Sequence, residues 1–193
     1  EFRRVLFRSM DFPGEWVQPM MISSLGRYTP YHMLQGMASS SSAPSAAVLN
    51  GANVATLIPF TLPGPYTVRS LYVYNGAVTG NICMGVYQSN PGQTSLSLIL
   101  STGTIVQSGA GTVQVAAPTI VTRLDRGTYY MAFGYTSGAA TFYSVAYTYG
   151  AGAIGCNLAT TGGVPLPSTI TTSTWAQPTY RVPWMGISRN TTI

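Results

Sequence analysis

The chain has 193 residues, and only 7% of them are Asp, Glu, Lys or Arg, against about a quarter in an ordinary soluble domain. All nine basic residues are Arg, and the four acids are accompanied by a single His, so paired catalytic carboxylates, a serine triad or a metal cluster have little raw material. The formal charge is +5, and no run of 18 apolar residues predicts a membrane-spanning helix.

Residues 1–9, EFRRVLFRS, resemble the translation of a short-read sequencing adapter fused in frame, and are set aside as an artefact. A signal peptide needs a longer apolar core than Val5, Leu6 and Phe7 supply. Met10 is then either the start or an internal residue of a gene assembled from environmental DNA. From Met10 onward, Arg27, Arg69, Arg123, Arg126, Arg181 and Arg189 stand against Asp11, Glu15 and Asp125, six minus three, or +3. Along the sequence they cluster only at the turn of Arg123, Asp125 and Arg126. That pattern predicts no basic stripe and no nucleic-acid partner.

In residues 10–37, Pro13, Gly14, Pro19, Gly26, Pro30 and Gly36 break every candidate element, while Met20, Met21, Met33 and Met37 need an apolar surface. The segment reads as an irregular N-terminal arm, either laid over a neighbouring subunit or module or left as a loose tail. Residues 38–47, ASSSSAPSAA, read as a linker of flexible Ser and stiffening Pro. Residues 48–193 read as one β-domain.

Within that domain, short runs rich in Val, Ile, Thr, Tyr and Phe alternate with Gly, Asn, Pro and Ser clusters, the pattern of an antiparallel sandwich. Residues 56–62, TLIPFTL, predict a strand that Pro59 confines to an edge or a bulge. Residues 66–74 follow a Pro-Gly-Pro turn, and Asn75-Gly76 reads as a tight turn in which both residues tolerate positive φ. Further strands are predicted over residues 80–88, 96–106, 112–116, 129–136 and 141–149. In the 127–135 run, Tyr129, Met131, Phe133 and Tyr135 share one face and Tyr130, Ala132 and Gly134 the other. No window carries a sustained helical period. Residues 150–167 read as a long loop, residues 168–173 as a short strand or a Ser/Thr loop, and the tail YRVPWMGISRNTTI as a last strand or a docking segment. The predicted fold class is all-β, an antiparallel, jelly-roll-like β-sandwich. Cys83 lies in a strand-like run and is either a buried thiol or the partner of Cys156.

The runs PFTLPGPYTVRSLYVYNG, GNICMGVYQ, STGTIVQSG and LDRGTYYMAF resemble a β-sandwich module of tailed-bacteriophage structural proteins, the kind found in tail fibres, tail tips and head fibres. The likeness spans roughly residues 54–149, with a weaker echo in YRVPWMG. The family often has a short hairpin turn after the GVY strand, and here residues 90–95 are longer. The resemblance implies a non-enzymatic virion protein, a module for assembly or host-surface attachment. Its implied partners are further copies of itself, other virion proteins or a host-surface glycan.

The residues agree with a non-enzymatic reading. Glycan hydrolysis would draw on Asp11, Glu15 and Asp125, two of them in the arm, and His32 stands there without a G-x-S-x-G motif. No His, Cys, Asp and Glu cluster at metal-ligand spacing, and no glycine loop precedes a Lys, so no metal or cofactor is expected. Thirteen tyrosines point to contact instead. Tyr72, Tyr74, Tyr87, Tyr143, Tyr147, Tyr149, Trp175 and Trp184 are the candidate binding aromatics, each weighed against plain burial in a core or a subunit contact. A carbohydrate-binding module and a secreted bacterial adhesion domain are the alternative functions, the second with an extracellular location in place of the virion.

Overall fold

A computed structural model of the chain describes residues 27–28, 45–49, 51–90, 94–146, 157–159, 162–171, 175–176 and 181–191. In chain order the strands are β1 (Arg27–Tyr28), β2 (Ser45–Ala47), β3 (Ala55–Leu62), β4 (Tyr66–Val68), β5 (Ser70–Tyr74) and β6 (Asn81–Ser89). They continue with β7 (Ser95–Ser101), β8 (Ile105–Val106), β9 (Val113–Ala116), β10 (Thr122–Leu124), β11 (Gly127–Tyr135) and β12 (Phe142–Ala146). The last are β13 (Asn157–Ala159), β14 (Thr169–Thr171), β15 (Trp175–Ala176), β16 (Arg181–Pro183) and β17 (Met185–Ser188). No helix occurs among the described residues.

The largest sheet runs β14-β7-β6-β11-β3-β13-β15, with β8 also on β6; a second runs β1-β17-β5-β9, a third β16-β12-β2, and β10-β4 form a ribbon. Every pairing is antiparallel. The backbone of the molecule is β11, whose β-branched and aromatic residues pair with β3 on one side and β6 on the other. Pro59 stands opposite Tyr130, beyond the three rungs that β13 makes with Ala55, Thr56 and Leu57, so β3 is locally an edge there.

Strand periodicity divides the side chains of the large sheet between two apolar clusters. Ile58, Phe60 and Leu62 of β3, Ile82, Met84 and Val86 of β6, and Met131, Phe133 and Tyr135 of β11 share one buried cluster with Leu71 and Val73 of β5 and Met185 and Ile187 of β17. Phe142 closes it, its ring 4.7 Å from Phe133 and 5.2 Å from Tyr135, both edge-on. An all-β chain of antiparallel sheets sharing such a cluster is consistent with a β-sandwich. The turn into β11 is held by the Tyr129 hydroxyl, which donates to the Asp125 carbonyl at 3.0 Å, a corner of the kind found in sandwich domains.

The opposite face of the large sheet is buried too. Ala55, Leu57, Cys83, Tyr87 and Ala132 pack with Leu96, Leu166 and Ile170, and Leu166 and Ile170 come from the segment 162–171. The Tyr87 hydroxyl donates to the Pro167 carbonyl at 2.5 Å. Covered on both sides, β6 is buried continuously from Ile82 to Tyr87, where a strand with one wet face would alternate.

Several expectations change here. Asn75-Gly76 is not a positive-φ turn: Asn75 is fully buried, bridges Phe142, and is held by side chains. Its Nδ2 donates to the Ser108 carbonyl at 2.6 Å and to Gln114 Oε1 at 2.9 Å, while Oδ1 accepts from Gln107 Nε2 at 3.1 Å. The amide of a buried Asn is satisfied more fully there than an exposed hairpin turn would allow. The predicted 96–106 strand is split into β7 and β8, with Gly103 at φ 66° between them. Ser45–Ala47, read as the end of the linker, pair as β2 with Phe142, Tyr143 and Ser144. Cys83 is a free, buried thiol 3.3 Å from Ser101 Oγ. Residues 1–26, 29–37 and 38–44 lie outside the described residues, and with them the artefact and most of the arm and linker.

Candidate functional site

Strand β5 turns Leu71 and Val73 into the core, so Tyr72 and Tyr74 fall on its other face. The same logic in β12 buries Phe142 and Ser144 and turns Tyr143 outward. Trp184 sits at the joint between β16 and β17. Backbone bonds tie the three positions together: Trp184 N–H donates to the Tyr143 carbonyl at 2.7 Å, and Tyr74 N–H to the Trp184 carbonyl at 2.9 Å. The side chains follow. Tyr74 stacks on Tyr143 with ring centroids 4.1 Å apart and a 22° tilt, and meets Trp184 edge-on at 5.5 Å. All three are half-buried, so each keeps part of its surface at the boundary with solvent.

Three of the eight predicted aromatics therefore form one cluster, assembled from segments more than a hundred residues apart in sequence between Tyr74 and Trp184. Tyr72 lies beside it on the same face of β5 but is 5% exposed. Tyr87 is not a platform: it is wholly buried in the second cluster, and burial, with the Cys83 thiol nearby, pushes its hydroxyl pKa well above the usual tyrosine value. That expectation fails because the covering segment 162–171 gives the outer face of β6 no access to solvent. Trp175 stands in β15 opposite Ala159, and its side chain lies outside what is described. Tyr147 and Tyr149 also fall outside the described residues.

A face built of aromatic rings with polar rims can do one thing well. It presents flat apolar area at small entropic cost, suited to sugar ring faces or to aromatic and aliphatic groups of another protein. No group of three His, Cys, Asp or Glu side chains occurs among the described residues. Asp125 is exposed on the turn before β11, and Asp11, Glu15 and His32 lie outside the described residues.

The feature that sequence reading missed is electrostatic. Arg69, Arg123, Arg126 and Arg189 are spread over 120 positions, yet the fold brings all four to the β4–β10 ribbon and the adjoining end of β17. A dispersed pattern in sequence becomes a patch once β4 and β10 pair. Comparison with known proteins gives no match: no family model, curated protein or solved structure aligns with the chain.

Proposed function

We propose that this chain is a non-enzymatic structural module of a tailed-phage virion, acting by contact in assembly or in attachment to a host surface. The resemblance of its central strands to such modules motivates the reading, and the all-β architecture is compatible with it. The observation that carries the contact role is the half-buried cluster of Tyr74, Tyr143 and Trp184, an aromatic surface at the boundary with solvent. Contact through such a surface draws on apolar burial and hydrogen bonds at its rim, and responds weakly to salt.

The same cluster supports a second reading, carbohydrate recognition, because sugar rings lie on aromatic faces of this kind. Host-surface attachment and glycan binding then describe one activity. The virion reading is tested by sequencing the gene's neighbourhood: flanking reading frames for capsid or tail proteins support it. An intact reading frame that begins with a secretory signal peptide, among genes for cell-surface proteins, would replace it with the adhesion domain.

A further inference from the structure

We infer that the β4–β10 ribbon is a second contact surface, built to bind an acidic polysaccharide through its carboxylate, sulfate or phosphate groups. It lies apart from the aromatic cluster and does not depend on that cluster's role. Trp184 precedes β17 and Arg189 follows it, so five residues, roughly 16 Å of extended chain, separate the two. Tyr74 likewise ends β5, and Arg69 precedes its first residue.

The patch is made by register. Arg123 of β10 stands opposite Thr67 of β4, and both alternate outward from the buried Tyr66, Val68 and Leu124. Arg69 follows two positions on, on the same outward phase, and its N–H donates to the Ser188 carbonyl at 2.9 Å, which brings Arg189 beside it. Arg126 occupies the turn after β10. All four residues are exposed, and the one acid among the described residues here is Asp125, so these side chains balance at four minus one, or +3. No ion pair among the described residues engages Arg69, Arg123 or Arg126.

Two details hold the surface ready. The Arg189 guanidinium lies 4.6 Å from the centroid of the Tyr66 ring and donates through Nη2 to the Pro65 carbonyl at 3.2 Å, which fixes its plane and leaves its other N–H groups for a ligand. The Tyr129 hydroxyl pins the Asp125 carbonyl and so the turn that carries Arg126. Less freedom is then lost on binding.

The chemistry selects the class of partner. Guanidinium forks pair bidentately with planar oxyanions, and the absence of Lys makes every cation here of that type. Thr67, opposite Arg123 in the ribbon, supplies a hydroxyl for sugar hydroxyl groups. Nucleic acid fits less well, because single strands need exposed rings for base stacking. The aromatic at the patch, Tyr66, is 1% exposed and capped by Arg189.

The test measures affinity of the purified chain for polygalacturonate and dextran sulfate, with neutral dextran, a DNA duplex and anionic phospholipid vesicles alongside. The expected result is binding to both acidic polymers and not to dextran, weakened by added salt, and reduced at least tenfold in the double variant Arg69→Gln/Arg123→Gln. Both residues are exposed, so the variant should melt as the parent does. The salt dependence and the neutral dextran control separate this surface from the aromatic cluster, whose contacts respond weakly to salt. Failure to bind either polymer, equal binding by the double variant, or tighter binding to the duplex or the vesicles would overturn the proposal.

Discussion

Gly134 stands one residue before the end of β11, where the covering segment comes too close for any side chain. A Cβ built there would lie 1.8 Å from the Gly163 carbonyl oxygen, a backbone atom that cannot swing away. Gly134→Ala must therefore lift residues 162–171 off the sheet or shift the strand, at a cost of roughly 1–3 kcal/mol. Gly138→Ala, where a Cβ meets nothing within 4 Å, is the matched control and should change stability by less than about 0.5 kcal/mol. Denaturant titration of the two variants checks the pair; equal stability would mean that the segment does not pack on β11. The tyrosines make a second prediction. Burial raises the pKa of Tyr87, Tyr129, Tyr130 and Tyr135, with Asp125 adding to the effect at Tyr129. Unfolded tyrosine ionises near about pH 10, so above that pH the unfolded chain loses protons that the folded chain keeps, and stability falls as pH rises. Melting temperature should be insensitive to these groups below about pH 9 and drop steeply above about pH 10. A flat profile into that range would contradict the burial of their hydroxyls. At this scale the sequence was a partial guide. Composition supplies the aromatics, but it cannot separate Tyr87, sealed by a distant segment, from Tyr74, left at the surface.

Elements carry the same lesson in a different form. Strand β11 was legible from its period of two, and β3 and β6 on either side of it from short apolar and β-branched runs bounded by Gly, Pro and Asn. Of the segment 162–171, the short strand offered at 168–173 is present as β14, but the cover that Gly163, Leu166 and Ile170 make was not legible, because it has no repeat of its own. Asn75 misled for a related reason. An Asn-Gly pair between strands has the composition of a hairpin turn, and only the partners Gln107 and Gln114 reveal a buried amide network. Replacing Asn75 by Ala would leave Gln107 Nε2 without its 3.1 Å acceptor and should cost about 1–3 kcal/mol. The linker expectation is sharpened by β2. Since Ser45–Ala47 pair with β12, a broad-specificity protease should cut first within residues 38–44, not within 45–50, and leave a resistant C-terminal fragment. A first cut inside residues 66–146 would contradict the domain boundary.

On the scale of the whole molecule, the fold does to charge what it does to the aromatics. Residues remote in sequence are brought together at the two ends of the paired strands β5 and β17, rings at one end and guanidinium groups at the other. The strand pattern made the architecture legible, while the two surfaces depend on register between strands, which residue order does not display. The two surfaces should also differ in kind, one little affected by salt and the other weakened by it. The most direct measurement of the contact role follows the purified chain with host cells and their surface polysaccharide, recording both retained protein and newly formed reducing ends. In salt high enough to screen the arginine ribbon, retention that is lost in Trp184→Ala, with no new reducing ends over long incubation, is the predicted result. Steady release of reducing ends that Asp125→Asn abolishes would contradict it and make this chain an enzyme.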